Sequence, residues 1–205
     1  MSTLHAFTES LAKTLYSNPH SRSTSSLKTS DEIAAVRTRV LGDLFGVATA
    51  ATRSRWDVIF TSGATAALKL VAESYPWGQG TGSARYRYLK EAHTSLVGIR
   101  GSALEHGADV VAMEDDETER WLASSVSTER ELFAYPAQCN ATGSRLGCEL
   151  GQRAKRRDPA TSVLVDAAAW LATKPMDVDS IPFEEAPDFI VCSFYKLFVR
   201  LIFVL

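Results

Sequence analysis

Six short strand candidates, most of them rich in Val, Ile and Phe, alternate with helical segments, and this alternation constrains the fold more than any other feature of the chain. The strand candidates are Asp57-Val58-Ile59-Phe60-Thr61, Arg85 to Leu89, Asp109 to Met113, Glu131-Leu132-Phe133-Ala134-Tyr135, Ser162-Val163-Leu164-Val165-Asp166 and Asp188 to Ser193. Between them lie helical segments: Ala66 to Ser74, a stretch from His93 through Leu104, and Leu150 to Arg157. Near-continuous apolar strands separated by helices specify an α/β domain whose mostly parallel sheet is covered on both faces. Right-handed crossovers bring the C-terminal ends of the strands to one edge, where open α/β sheets bind their ligands.

Two helices are read in the first 46 residues. His5 to Tyr16 places Phe7, Leu11 and Leu15 on one face, and Asn18-Pro19 ends it. Ser21 to Ser30 reads as a polar loop, with Ser30 as the N-cap of a helix from Asp31 to Phe45 that stops at Gly46. At 205 residues, 45% of them hydrophobic, the chain has enough apolar surface for a substantial core. A net charge of −2 without a basic block excludes a nucleic-acid surface. No run reaches the roughly 18 apolar residues of a membrane span, and the N-terminus lacks the basic and apolar regions of a signal peptide. The three cysteines, Cys139, Cys148 and Cys192, match no metal spacing, and their odd number fits a reducing, cytoplasmic setting.

The polar residues at the strand ends carry the chemistry. Lys196 follows the apolar run Phe189 to Cys192, where it either reaches out to water or stands in a cleft as an amine able to form a Schiff base. Thr61-Ser62-Gly63-Ala64-Thr65 turns a strand into a helix, which makes either a plain N-cap or a cradle of N–H groups for an anion. Asp166 closes four apolar residues and is either a helix cap or the partner of a protonated ring nitrogen. His93 is a structural histidine or one that stacks on a ring and moves protons. Asn140 is a turn residue or an amide within reach of a phenolic oxygen. Taken in order, the functional alternatives are the roles a pyridoxal 5'-phosphate site needs, for phosphate, ring face, phenolic oxygen, ring nitrogen and aldehyde.

Five segments carry a resemblance: Leu15-Tyr16-Ser17-Asn18-Pro19-His20-Ser21, Phe60 to Leu70, Tyr135-Pro136-Ala137-Gln138-Cys139-Asn140, Val165-Asp166-Ala167-Ala168-Ala169 and Ser193-Phe194-Tyr195-Lys196-Leu197-Phe198. Together they resemble the class V aminotransferase family, which includes the cysteine desulfurases, and within it the molybdenum cofactor sulfurase branch. The resemblance implies the large domain of a fold type I pyridoxal phosphate-dependent transferase, spanning 1–205 and incomplete at both ends. Lys196 aligns with the family's Schiff-base lysine, Asp166 with the partner of the pyridine nitrogen and His93 with the histidine over the ring. Ala64, Thr65 and Ser193 match phosphate contacts. Tyr195 stands where ordinary desulfurases carry a histidine, and Ala169 where they often carry a glutamine.

The implied activity moves sulfur from L-cysteine toward the molybdenum cofactor through a persulfide. The resemblance also implies that the persulfide-carrying cysteine, the small C-terminal domain and the molybdenum-binding domain lie outside these residues, so the fragment is expected to be impaired. Cys192, inside a strand run, is expected to be inert. A homodimer is the family's usual assembly. The alternatives are another class V lyase or aminotransferase, and a non-catalytic remnant.

Overall fold

The computed structural model describes residues 3–78, 83–126 and 129–197. Its centre is a parallel sheet of β1 (Ala84–Leu89), β2 (Asp109–Met113), β3 (Arg130–Pro136), β4 (Ser162–Asp166) and β5 (Phe189–Val191). The spatial order is β2-β1-β3-β4-β5, with every pairing parallel. Five of the six expected strands are therefore present. The chain runs outward from β1 to β2 in one direction and from β3 to β5 in the other, so its order reverses between β1 and β3. Such a reversal opens a crevice at the C-terminal strand ends.

Side chains alternate between two cores with the period of two that a strand imposes. Tyr86, Tyr88, Leu132, Ala134 and Leu164 face one layer, with Leu68 of α4 (Ala64–Ser74), Leu96 of α5 (Thr94–Val97) and Ile99 of α6 (Ile99–Glu105). Phe133, Tyr135, Val163 and Val165 face the other, with Trp121 of α7 (Asp115–Leu122) and Leu150 and Ala154 of α8 (Glu149–Arg157). Helix α7 was not expected from its run of acidic residues, yet it starts with a capping box between Glu114 and Glu117. Gly98 separates α5 from α6 inside what reads in sequence as one helix.

Helix α8 approaches the sheet closely because Gly151 has no side chain. A Cβ there would lie 2.9 Å from both Tyr135 Oη and Val163 Cγ1. The fully buried Tyr135 hydroxyl accepts from Gly151 N–H at 3.0 Å and donates to Gly147 O at 3.1 Å. Nearby, Glu131 is 3% exposed and accepts from Arg87 and Arg157, whose guanidinium carbons lie 5.5 and 5.0 Å from the centre of the Trp121 ring. Desolvating a carboxylate is costly, and two cations over an aromatic ring offset that cost.

Three expectations fail. Asp57 to Thr61 forms no ladder. A strand needs a paired neighbour, and here a cavity of about 470 Å³ lies between this segment and β5, lined by Val58, Phe60, Ile190 and Phe194. The N-terminal helices are also placed differently. The expected loop from Ser21 to Ser30 is mostly α2 (Thr24–Arg39), capped by Ser23, whose hydroxyl accepts from Ser26 N–H at 3.2 Å. Ser30 lies inside this helix and its hydroxyl donates to Ser26 O and Pro19 O, while a π-helical turn at Val40–Leu44 ends the segment. Finally, α1 (Thr3–Lys13) is shorter than expected, and Phe7, Leu11 and Leu15 are exposed rather than packed. Within the described residues, no helix is long and apolar enough to cross a membrane.

Candidate cofactor site

The C-terminal ends of β1, β4 and β5 and the start of α4 enclose a cavity of about 320 Å³, within the range of small-molecule sites. Gly63 makes the turn into α4. Its φ of +151° is a conformation that only glycine adopts readily, although a Cβ there would meet nothing within 4 Å. The first N–H groups of α4 have no helical acceptor; the first intrahelical bond from this end is Ala67 N–H to Gly63 O. Ala64, Thr65 and Ala66 line the cavity, so this turn offers donors and the positive end of an 11-residue helix to an anion.

His93 follows β1 and caps α5, with Nδ1 accepting from Ser95 N–H at 3.2 Å. Asp166 ends β4 at 7% exposure, and its Oδ1 accepts from Ala168 N–H at 3.0 Å. Burial pushes its carboxyl above the ordinary range, against the pull of that N–H, of Lys196 and of His93. Ser193 follows β5 and its hydroxyl accepts from Lys196 N–H at 3.4 Å, which caps the turn carrying the lysine. Lys196 Nζ donates to Asn140 Oδ1 at 3.2 Å, across 56 residues of sequence. Tyr195 lines the cavity but is 76% exposed.

All the residues singled out in the sequence thus meet at one edge: Ala64, Thr65, His93, Asp166, Ser193, Tyr195 and Lys196 line the cavity, and Asn140 reaches it through the lysine. Ser95 was missed. It lines the cavity and its hydroxyl lies 2.8 Å from Thr65 Oγ1 and 3.1 Å from His93 Nδ1. The only sequence signal was a serine two residues past the histidine.

The cysteines differ. Burial pushes the Cys148 thiol up to about 12 and also raises Cys192, which lies just beyond β5 rather than within it. Hydrogen bonds from Thr142 lower Cys139, although its side chain is almost wholly covered.

These residues fit pyridoxal phosphate by their chemistry. A buried carboxylate suits a ring N–H, an amine beside it suits an aldehyde, and an uncapped helix start suits a phosphate.

The fold, with a cavity at the C-terminal strand ends, defines an α/β domain of the aminotransferase type. The sequence matches the family "Aminotransferase class-V" over residues 3–199, and the chain belongs to that family. Among curated proteins it is 35% identical over 215 residues to the molybdenum cofactor sulfurase of Homo sapiens, covering 96% of this chain and 23% of that protein. It is 37% identical over 204 residues to that of Aspergillus fumigatus, with coverages of 96% and 23%. The chain therefore spans about a quarter of the length of these relatives. Among solved structures it resembles a NifS-like protein, with a TM-score of 0.71 and 20% identity over 91% of this chain and 49% of the other. The cysteine desulfurase CsdA of Escherichia coli gives 0.69 and 19%, over 95% and 47%. The fold is that of the large domain of fold type I pyridoxal phosphate-dependent enzymes.

Proposed function

We propose that these residues form the pyridoxal phosphate-binding, cysteine desulfurase-type domain of a molybdenum cofactor sulfurase, which takes sulfur from L-cysteine toward the molybdenum cofactor. The observation that carries this reading is the convergence of Lys196, Asp166, His93 and the α4 turn on one cavity. The sulfurase relatives and the fold support it, as does the likeness to a protein described as SspA in complex with cysteine, with a TM-score of 0.69 and 16% identity over 96% of this chain and 55% of the other.

When bound, the cofactor supplies an electron sink that lets bonds to the amino-acid α-carbon break. The chain's residues do the rest. The α4 N–H groups, the Thr65 hydroxyl and Ser193 hold the phosphate. Asp166 keeps a proton on the ring nitrogen, and the low-polarity setting that raises its own pKa strengthens that charged hydrogen bond. His93 covers the ring face. Asn140 holds Lys196 Nζ through its carbonyl oxygen and keeps its amide N–H groups for the phenolic oxygen. Lys196 would be the group that moves a proton at the amino-acid α-carbon.

None of Cys139, Cys148 and Cys192 suits the persulfide carrier, because burial keeps Cys148 and Cys192 protonated and Cys139 is covered. These residues by themselves are therefore expected to bind the cofactor yet release alanine slowly. The decisive experiment is borohydride reduction of the chain with pyridoxal phosphate, followed by peptide mass analysis. The cofactor mass on the Lys196 peptide, absent in Lys196→Ala, is the expected result. Unlabelled Lys196 would leave a non-catalytic remnant, and keto-acid release from a range of amino acids would favour an aminotransferase.

A further inference from the structure

Ser95 joins two parts of the site that come from different elements. Its backbone N–H donates to His93 Nδ1 at 3.2 Å, and its hydroxyl lies 3.1 Å from the same nitrogen. That hydroxyl is also 2.8 Å from Thr65 Oγ1, on the first turn of α4. A backbone N–H can only donate, so the nitrogen facing it must be an acceptor. His93 has the extended backbone of an N-cap, φ −60° and ψ 146°, and the cap bond exists only while Nδ1 is unprotonated.

From this we infer that Ser95 is a positioning residue that holds His93 in its neutral, Nε2-protonated tautomer and ties that tautomer to the phosphate-side turn. The hydrogen-bond order follows from the chemistry. With Nδ1 an acceptor, its one lone pair is shared by the Ser95 N–H and the Ser95 hydroxyl, which accepts in turn from the Thr65 hydroxyl. His93 then has one N–H to offer, at Nε2, and no lone pair there to act as a base. An anion at the α4 turn takes the Thr65 proton as a hydrogen-bond donor, so Thr65 no longer donates to Ser95. Phosphate occupancy is thereby sensed at the histidine ring. The role in catalysis rests on the proposed pyridoxal phosphate reading, but the tautomer rests on the capping geometry.

Histidine-ring ¹⁵N–¹H correlation spectra of the cofactor-free chain, at about pH 8 where an ordinary imidazole is neutral, test this directly. The chain has four histidines, and His93→Gln assigns the resonance. The expected result is a proton on Nε2 and a bare Nδ1, with inorganic phosphate shifting the His93 ring signals. In Ser95→Ala the ratio of Nδ1–H to Nε2–H tautomers is expected to rise roughly 2- to 10-fold, the worth of one net hydrogen bond. Ser95→Thr should restore the ratio, and the phosphate response should vanish in the alanine variant. A proton on Nδ1 in the parent chain overturns the proposal whether or not the variants fold. So does an unchanged ratio in a Ser95→Ala chain whose amide spectrum is intact. Failure of the parent to bind pyridoxal phosphate would sink the proposed function instead, since the tautomer is measured without the cofactor.

Discussion

Tyr135→Phe is expected to loosen the site from a distance. The Tyr135 hydroxyl is fully buried, and burial pushes its pKa well up, so it stays a neutral O–H at any usable pH. It makes two bonds, accepting from Gly151 N–H at 3.0 Å and donating to Gly147 O at 3.1 Å. Phenylalanine keeps the ring in its layer with Phe133 but removes both bonds and leaves a backbone donor and a backbone acceptor facing a dry surface. Each stranded group costs about 1–3 kcal/mol, and relaxation of the first turn of α8 recovers part of the sum, so about 2–4 kcal/mol is expected. For a chain of this size, each kcal/mol lowers the melting midpoint by about 2–4 °C, so a fall of about 4–16 °C follows. The residues between Pro136 and Gly147 carry Asn140, which holds Lys196, so pyridoxal phosphate should also bind more weakly. Urea and thermal unfolding followed by circular dichroism measure the first effect, and a cofactor titration the second. A stability change below about 0.5 kcal/mol would show that this buried hydroxyl is not what fastens α8 to the sheet.

Other perturbations test the remaining parts of the structure. Asp166→Asn should stabilise the cofactor-free chain at neutral pH while weakening cofactor binding. Burial raises this carboxyl in the folded state, so its proton is held more tightly there than in the unfolded chain, and stability falls as pH rises from the ordinary carboxylate range through the folded pKa. The melting difference between variant and parent should therefore fade in acid, below both pKa values, and equal melting at pH 7 would refute this. Gly63→Ala should cost about 1–3 kcal/mol from backbone strain alone, since nothing crowds the new methyl, and should reduce affinity for inorganic phosphate; unchanged phosphate binding would remove the turn from the site. Glu131→Leu should cost about 3–5 kcal/mol by stranding Arg87 and Arg157 beneath Trp121, measurable by urea unfolding, and a loss under about 1 kcal/mol would mean that those cations find other partners.

The strands were legible where composition and pairing agree. β1 alternates buried Tyr86 and Tyr88 with half-buried Arg85 and Arg87, while β3 and β4 are buried on both faces and carry apolar runs. Asp57 to Thr61 has the same composition, but whether a segment enters a ladder depends on what lies beside it in space, which no local pattern records. The start of α2 was hidden for a different reason. Ser23, Ser25 and Ser26 favour caps and turns as much as helices, and the buried Ser26 hydroxyl is hydrogen-bonded to those of Ser17, Ser21 and Ser23. The site residues could be read because topology places strand ends together. Asn140 was read as a turn residue or as an amide near a phenolic oxygen, and its bond to Lys196 depends on the fold of the segment after β3.

Several polar groups at this edge are held by neighbours within the site. Ser193 caps the turn that carries Lys196, Asn140 holds the amine, and Ser95 connects His93 to Thr65. Asp166 is the exception, with one N–H bond to Ala168 and a carboxyl raised by burial. A group kept ionised against its surroundings costs stability unless a cation or a strong donor answers it. Lys196 and His93 pull in that direction without overcoming the burial. Burial thus disfavours the ionised form of Asp166, and a positively charged N–H presented from inside the cavity would stabilise it. A protonated pyridine carries such an N–H, which is the role the proposed pyridoxal phosphate reading gives to Asp166.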